Sequence, residues 1–321
     1  MSRLTKAPAT GVASLSGDPG GTETLVGAEA HRHALSGPGP TGADQVRREF
    51  DFGDDDFDFI RRWIKDRAGI VLADNKKPLV YGRLAKRVRA LNLASFKDYC
   101  ELIAGDAGRD EVNIALNALT TNKTSFFRES HHFDHLASTV LPAARRTSGA
   151  GRRLRIWSAG CSSGEEPYSI AMTLLAELRD LPQWDARILA TDIDSNMVEH
   201  GRAGIYATDA VQTIPDRFRR RALQAGSEGG ERCQMADELR TLITFKQLNL
   251  LHPWPMKGPF DVIFCRNVVI YFDKPTQMTL FDRYADILKP DGFLYIGHSE
   301  SLFKVTARFE LVGQSTYRKL K

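Results

Sequence analysis

The stretch RIWSAGCSSGEEPYSIA, residues 155–171, decides how the rest of the chain is read. It opens as a short apolar strand, turns through small residues and continues as a helix. Gly160, Ser162 and Gly164 stand at alternate positions of the turn, as in a glycine-rich nucleotide loop, where glycine allows tight turning and close backbone approach. The spacing is not G-x-G-x-x-G, and Glu165 and Glu166 follow where a pyrophosphate would want neutral or positive groups. Carboxylates just inside the helix suit a ligand with hydroxyls and a positive charge. They also suit the helix, because acids in a first turn complement its macrodipole, so one of the two can serve the helix alone. Pro167 fits the same first turn.

Downstream, strands and helices alternate. Leu154–Ala159, Arg187–Ala190, Thr244–Leu248, Phe260–Cys265 and Phe293–Gly297 read as strands; Glu165–Arg179, Ser195–Arg202 and Thr276–Leu288 read as helices. This order predicts an α/β fold, Rossmann-like, with a mostly parallel sheet covered on both faces, over residues 149–321. Residues 207–243 break the alternation and read as a small inserted subdomain containing GSEGG (226–230).

Upstream, residues 49–148 read as an all-helical domain and linker helix. Phe57, Ile60, Ile64 and Ala68 share one helical face behind an acidic start, Asp54 to Asp56. A second helix, Pro78–Leu91, has Val80, Leu84, Val88 and Leu91 on one face and Arg83, Lys86, Arg87 and Arg89 on the other. No acid occurs between Asp74 and Asp98, which marks this basic face as a candidate for docking an acidic partner. Further helices fit Ser95–Ala104, Arg109–Leu119 and Glu129–Arg146. Residues 1–48, rich in small and polar residues, read as a disordered tail.

Composition narrows the class. A net charge of +4 on 321 residues does not by itself indicate nucleic acid, and no apolar run approaches a membrane span. The four cysteines are far apart and form no C-x-x-C pair, which with the lack of a signal-peptide pattern predicts reduced thiols and a cytoplasmic protein. No metal site is expected; His131, His132 and His298 read as structural or supporting groups.

In an open parallel sheet, ligands bind beyond the carboxyl ends of the strands at the switch point. Gly160 lies there, and so does Asp192 in the next strand end, TDID, where an acid can accept ribose hydroxyls. Helix capping is the other reading for Asp192 and Asp194. Asn249 and Leu250 follow the third strand, and Arg266, Asn267 and Tyr271 follow the fourth. An asparagine beside apolar residues can meet an adenine edge, or simply end a strand as a turn residue.

TTNKTSFFRE (120–129), SAGCSSGEEPYSIA, ATDID, LNLL, FDVIFCRNVVIYFD and GFLYIGHSE together resemble the CheR-type methyltransferases of bacterial chemotaxis, from about Phe57 to the C-terminus. The resemblance implies a class I methyltransferase domain dependent on S-adenosylmethionine (SAM), an N-terminal all-helical domain and a small inserted β-subdomain. It implies methyl transfer to glutamate side chains of chemoreceptor cytoplasmic domains, with S-adenosylhomocysteine as product and no metal. Asn122, Thr124, Arg128, Gly160, Glu166, Asp192, Asn249, Leu250, Arg266 and Asn267 would then bind the cofactor, with Glu166 favoured over Glu165. Arg128 and Tyr271 would face the methyl group and the substrate carboxylate. A receptor C-terminal tether, pairing with the inserted subdomain by strand addition, is a further partner that some relatives use.

Two other classes compete. A nucleic-acid methyltransferase is disfavoured because CRNVVIYF is not the D/N-P-P-Y type of segment associated with base amino groups. A silent module that only senses the cofactor is disfavoured by the presence of Arg128, Asp192 and Tyr271.

Overall fold

The computed structural model describes residues 49–147, 152–224 and 230–320. The predicted tail, and GSEGG apart from Gly230, lie outside the described residues. Helices α1 (Asp54–Ala68), α2 (Lys77–Ala90), α3 (Phe96–Ala104) and α4 (Arg109–Leu119) come first. Their starts are set locally. The Asp56 carboxylate accepts the Gly53 amide at 2.9 Å, and Ser95 Oγ accepts the Asp98 amide at 3.1 Å. Gly69, at φ +71°, ends α1 in the left-handed conformation that suits glycine. The faces read from periodicity are the ones buried: Phe57, Ile60 and Ile64 with Val80, Leu84 and Val88, closed by Phe96 and Tyr99.

The segment expected as one helix from Glu129 starts later. Glu129 sits at φ +56°, outside the helical region, so the chain turns there. Helix α5 (His131–His135) then runs through a π-helical turn (Leu136–Val140) into α6 (Leu141–Thr147).

Strands β1 (Arg153–Ala159) and β2 (Asp185–Asp192) flank helix α7 (Glu165–Glu177), and α8 (Ser195–Ala203) follows. The insertion comes next: β3 (Ile205–Ala207), α9 (Thr208–Gln212), α10 (Asp216–Ala222), β4 (Arg232–Gln234) and α11 (Asp237–Arg240). Its antiparallel β3–β4 pair spans three residues per strand, so short helices make up most of its described regular structure. Its Val211, Ile214 and Phe218 join the main core. The chain closes with β5 (Ile243–Gln247), β6 (Phe260–Cys265), α12 (Lys274–Ile287), β7 (Leu288–Ile296), β8 (Phe309–Gly313) and β9 (Thr316–Lys319). The hairpin of β8 and β9 was not expected from periodicity.

The seven strands order as β5-β2-β1-β6-β7-β9-β8, parallel from β5 to β7. Strand alternation fills both faces. Leu154 and Ile156 of β1 join one core, and Trp157 and Ala159 join the other. From β1 the chain proceeds to β2 and β5 on one side, then returns to β6 on the other. The loops after β1 and β6 therefore diverge and leave a crevice between them. Among the described residues, no helix is long and apolar enough to cross a membrane.

Candidate active site

The crevice opens into a cavity walled by both the sheet and the helical domain. Gly160, Glu166, Asp192, Leu250 and Arg266 border it from the sheet; Ala68, Ile70, Leu72 and Leu79 border it from the helical domain. The lining from α1, α2 and their connection was not legible in the motifs, which named only Asn122, Thr124 and Arg128 from this half.

The glycine loop is built for close approach. Gly160 has φ +100°, and a Cβ there would lie 2.4 Å from Val268 Cγ2. The amides of Gly160 and Cys161 both donate to the Thr191 carbonyl, at 2.8 and 2.9 Å, which ties the loop to β2. The Ser162 amide donates to Asp192 Oδ2 at 2.8 Å and the Asp194 amide to Asp192 Oδ1 at 3.0 Å. Each carboxylate oxygen keeps a lone pair for a cavity ligand. Burial raises Asp192 to about 6, against the lowering effect of these amides.

Capping belongs to Asp194. Its Oδ1 accepts the Asn196 and Met197 amides at the start of α8, and its Oδ2 accepts Asn122 Nδ2 at 2.7 Å and Thr120 Oγ1 at 3.0 Å. The Asn122 carbonyl accepts Ser162 Oγ at 2.8 Å. Asn122 thus borders the cavity with its amide group already engaged, beside Thr124.

The two glutamates of α7 divide. Glu165 takes Ser163 Oγ at 2.6 Å and does not border the cavity. Glu166 borders it, accepts Ser158 Oγ at 2.7 Å and Arg266 Nη1 at 3.0 Å, and is raised by burial. Arg266 is itself buried and bridges to Glu129, Nη2 to Oε2, at 3.2 Å; it also donates to the Arg128 carbonyl. Asn267 Oδ1 accepts Arg128 Nη2 at 3.0 Å, and Asn267 Nδ2 donates to Glu129 Oε1 at 3.4 Å. Arg128 also donates to the Lys123 carbonyl at 2.8 Å. Its guanidinium is therefore held from two sides while bordering the cavity.

The turn after β6 rests on residues that the motif reading left without roles. Glu300 accepts the Asn267 amide at 3.0 Å, the Ile270 amide at 3.2 Å and the Gly297 amide. A Cβ on Gly297 would come within 2.9 Å of Asn267. The signal was present in GHSE, whose acid has no obvious solvent role. Tyr271 lines the cavity, its carbonyl accepting the Val71 amide at 2.8 Å. Asn249 also lines the cavity, with its side chain engaged by the backbone: Nδ2 donates to the Arg67 carbonyl at 2.6 Å, and Oδ1 accepts the Leu251 amide at 3.0 Å. Its amide closes the end of α1 over the cavity rim, while Leu250 is buried beside it.

The basic face of α2 is mostly engaged within the chain. Arg83 Nη1 donates to the Leu119 and Thr120 carbonyls at 2.7 and 2.8 Å. Arg87 forks onto buried Glu111 at 2.8 and 2.7 Å, and Arg89 pairs with Glu49 at the surface. Lys86 is exposed and has no such bond among the described residues. Both acids, Glu111 and Glu49, come from outside the acid-free stretch.

Glu129, His131 and His132 bring ligand-capable atoms within 4.8 Å of one another. The Arg266 guanidinium, 3.2 Å from the same carboxylate, already supplies its counter-charge. Taken together, Glu166 and Asp192 offer acceptors to hydroxyls and a cationic centre, and the bare Gly160 backbone admits the ligand. These residues fit a nucleoside bearing positive charge.

Comparison with known proteins agrees. Residues 55–120 match the family described as "CheR methyltransferase, all-alpha domain", and residues 122–318 match "CheR methyltransferase, SAM binding domain". A probable chemotaxis protein methyltransferase of Rhizobium etli is 47% identical, covering 78% of this chain and 94% of that one. The chemotaxis protein methyltransferase of Escherichia coli is 42% identical, covering 85% and 93%. Chemotaxis protein methyltransferase 2 of Pseudomonas aeruginosa is 41% identical, covering 88% and 98%. Both halves of the fold, and the cavity they share, thus fall inside one lineage, and the chain belongs to the CheR family of SAM-dependent methyltransferases.

Proposed function

We infer that the chain methylates glutamate side chains on the cytoplasmic helices of chemoreceptors, forming methyl esters, and that it works in the cytoplasm. The observation that carries this reading is the Arg128 guanidinium, fixed by the Lys123 carbonyl and Asn267 Oδ1 at the cavity wall. A planar fork held in this way suits a carboxylate.

SAM supplies an electrophilic methyl on a cationic sulfur when bound. An exposed glutamate has a pKa of about 4.3 and is already an anion at neutral pH. Its oxygen would take the methyl that SAM supplies, the bonding pair leaving with sulfur. No proton moves, so no general base is needed. Arg128 would orient the carboxylate, and the Tyr271 hydroxyl would steer the attacking oxygen. Asp192 would take the ribose hydroxyls and Glu166 the cationic side of the ligand. Leu250 would pack on the adenine while the backbone at Asn249 meets its edge. Gly160, Asn122, Thr124, Arg266 and Asn267 would complete the cofactor wall. Catalysis then rests on placement and on excluding water from an anion–cation encounter.

An acidic receptor helix would dock beside α2. Lys86 is exposed to meet it, and Arg89 can exchange partners because its pair with Glu49 lies at the surface, where solvent screens it. Arg83 and Arg87 would support that face from within. The β3–β4 pair of the insertion offers an edge to which a receptor tether could add a strand.

The test is transfer of labelled methyl from SAM to receptor cytoplasmic fragments, with RNA and DNA as alternative acceptors. Base-labile label released as methanol marks the ester. Stable label, or label on nucleic acid, would overturn the reading.

A further inference from the structure

Glu129 does not border the cavity, yet it contacts two residues that do: Arg266 and Asn267. We propose that Glu129 is the positioning residue of the transfer site, acting on Arg128 through the amide of Asn267. This proposal rests on the carboxylate-methylation reading above.

The geometry of the amide gives the reason. A carboxylate only accepts hydrogen bonds and a guanidinium only donates them. With Glu129 on one side and Arg128 on the other, Asn267 has one satisfactory orientation, Nδ2 toward Glu129 and Oδ1 toward Arg128. Glu129 is held ionised for this task. Burial pushes its carboxyl up, but the His298 hydrogen bond and the Arg266 charge outweigh burial and hold it down at about 2. His298 Nδ1 lies 2.8 Å from Oε1.

The backbone is strained where the relay runs. Phe127, Glu129 and Asn267 lie at φ +52°, +56° and +59°, a left-handed region that non-glycine residues occupy only at a cost. Such conformations persist when their surroundings over-determine them. Here they aim Glu129 and Asn267 at each other across 138 residues of sequence.

Glu129→Gln keeps the shape but offers both a donor and an acceptor, so the Asn267 amide can reverse and leave Arg128 without its acceptor. The experiment is a double-mutant cycle on receptor-fragment methylation, with folding checked by thermal melting. E129Q should lower kcat/KM by roughly 30–100-fold in the wild-type background, a loss typical of a displaced catalytic group. In an Arg128→Lys background, where the fork is absent, E129Q should cost less than about 3-fold, because coupled residues are not additive. If E129Q does not fold, Asn267→Ala breaks the same relay and should show the same dependence on Arg128. A normal rate in E129Q, or equal losses in both backgrounds, would overturn the proposal. An inactive wild-type protein would instead sink the functional reading and this proposal with it.

Discussion

The Asp194 carboxylate accepts the side-chain amide of Asn122 at 2.7 Å, joining positions 72 residues apart, while its other oxygen caps α8. One side chain thus holds both a helix start and the junction between the helical and sheet halves. Asp194→Ala should cost about 3 kcal/mol, the sum of a lost cap and of charged hydrogen bonds. Denaturant unfolding measures this. A loss below about 1 kcal/mol would show that the junction is held elsewhere.

Arg128→Ala should lower methyl-ester formation at least 100-fold, the scale of losing a fixed charge at the transition state. Initial rates on a protein shown to be folded decide it. Near-normal rates would remove Arg128 from the chemistry.

Gly160→Ala combines two penalties: a backbone at φ +100° and a Cβ 2.4 Å from Val268 Cγ2. SAM affinity by calorimetry should fall more than about 10-fold, consistent with about 1–3 kcal/mol of strain. Adding Val268→Ala should recover part of that loss, because it relieves the contact and not the torsion. Full recovery would assign the whole effect to packing.

Asp192 gives a pH dependence whose sign is fixed by its upward shift to about 6. A carboxyl raised in the folded state stabilises the fold at low pH. That stability is lost as pH rises from about 4 through 6, with an upper scale of about 3 kcal/mol. Ligand hydroxyls prefer the ionised acceptor, so SAM binding should tighten over the same window. Denaturant melts and calorimetry at pH 5 and 7, with Asp192→Ala as reference, separate the two trends. A wild-type difference no larger than that of the variant would count against Asp192 as the titrating group.

Arg87→Ala would leave the buried Glu111 carboxylate without its charge partner, at a cost of about 3 kcal/mol. Lys86→Glu should leave the melting temperature unchanged and lower receptor methylation, with SAM affinity intact. Equal loss of SAM binding in Lys86→Glu would deny it a docking role.

What the sequence made legible followed from local regularity. The period of 3.6 gave α1 and α2 their buried faces, and the βα alternation placed Gly160, Asp192 and Arg266 at one sheet edge. What it hid was decided by distant partners. Nothing near Arg87 announces Glu111, and nothing near Asn249 announces the Arg67 carbonyl that takes its amide. Asp192 and Asp194 share one tetrapeptide and one chemistry, yet one faces the cavity and the other caps a helix. Asp194 stands immediately before α8, and the Thr120–Asn122 segment takes up its second oxygen.

The cavity has walls from both halves of the molecule, Ala68 and Leu72 on one side and Gly160 and Asp192 on the other. Any occupant is therefore also a fastener between them. A ligand present at a hundred times its dissociation constant adds about 2.7 kcal/mol to the folded state. The resistance of this protein to unfolding and proteolysis should then track the supply of methyl donor and the build-up of its demethylated product.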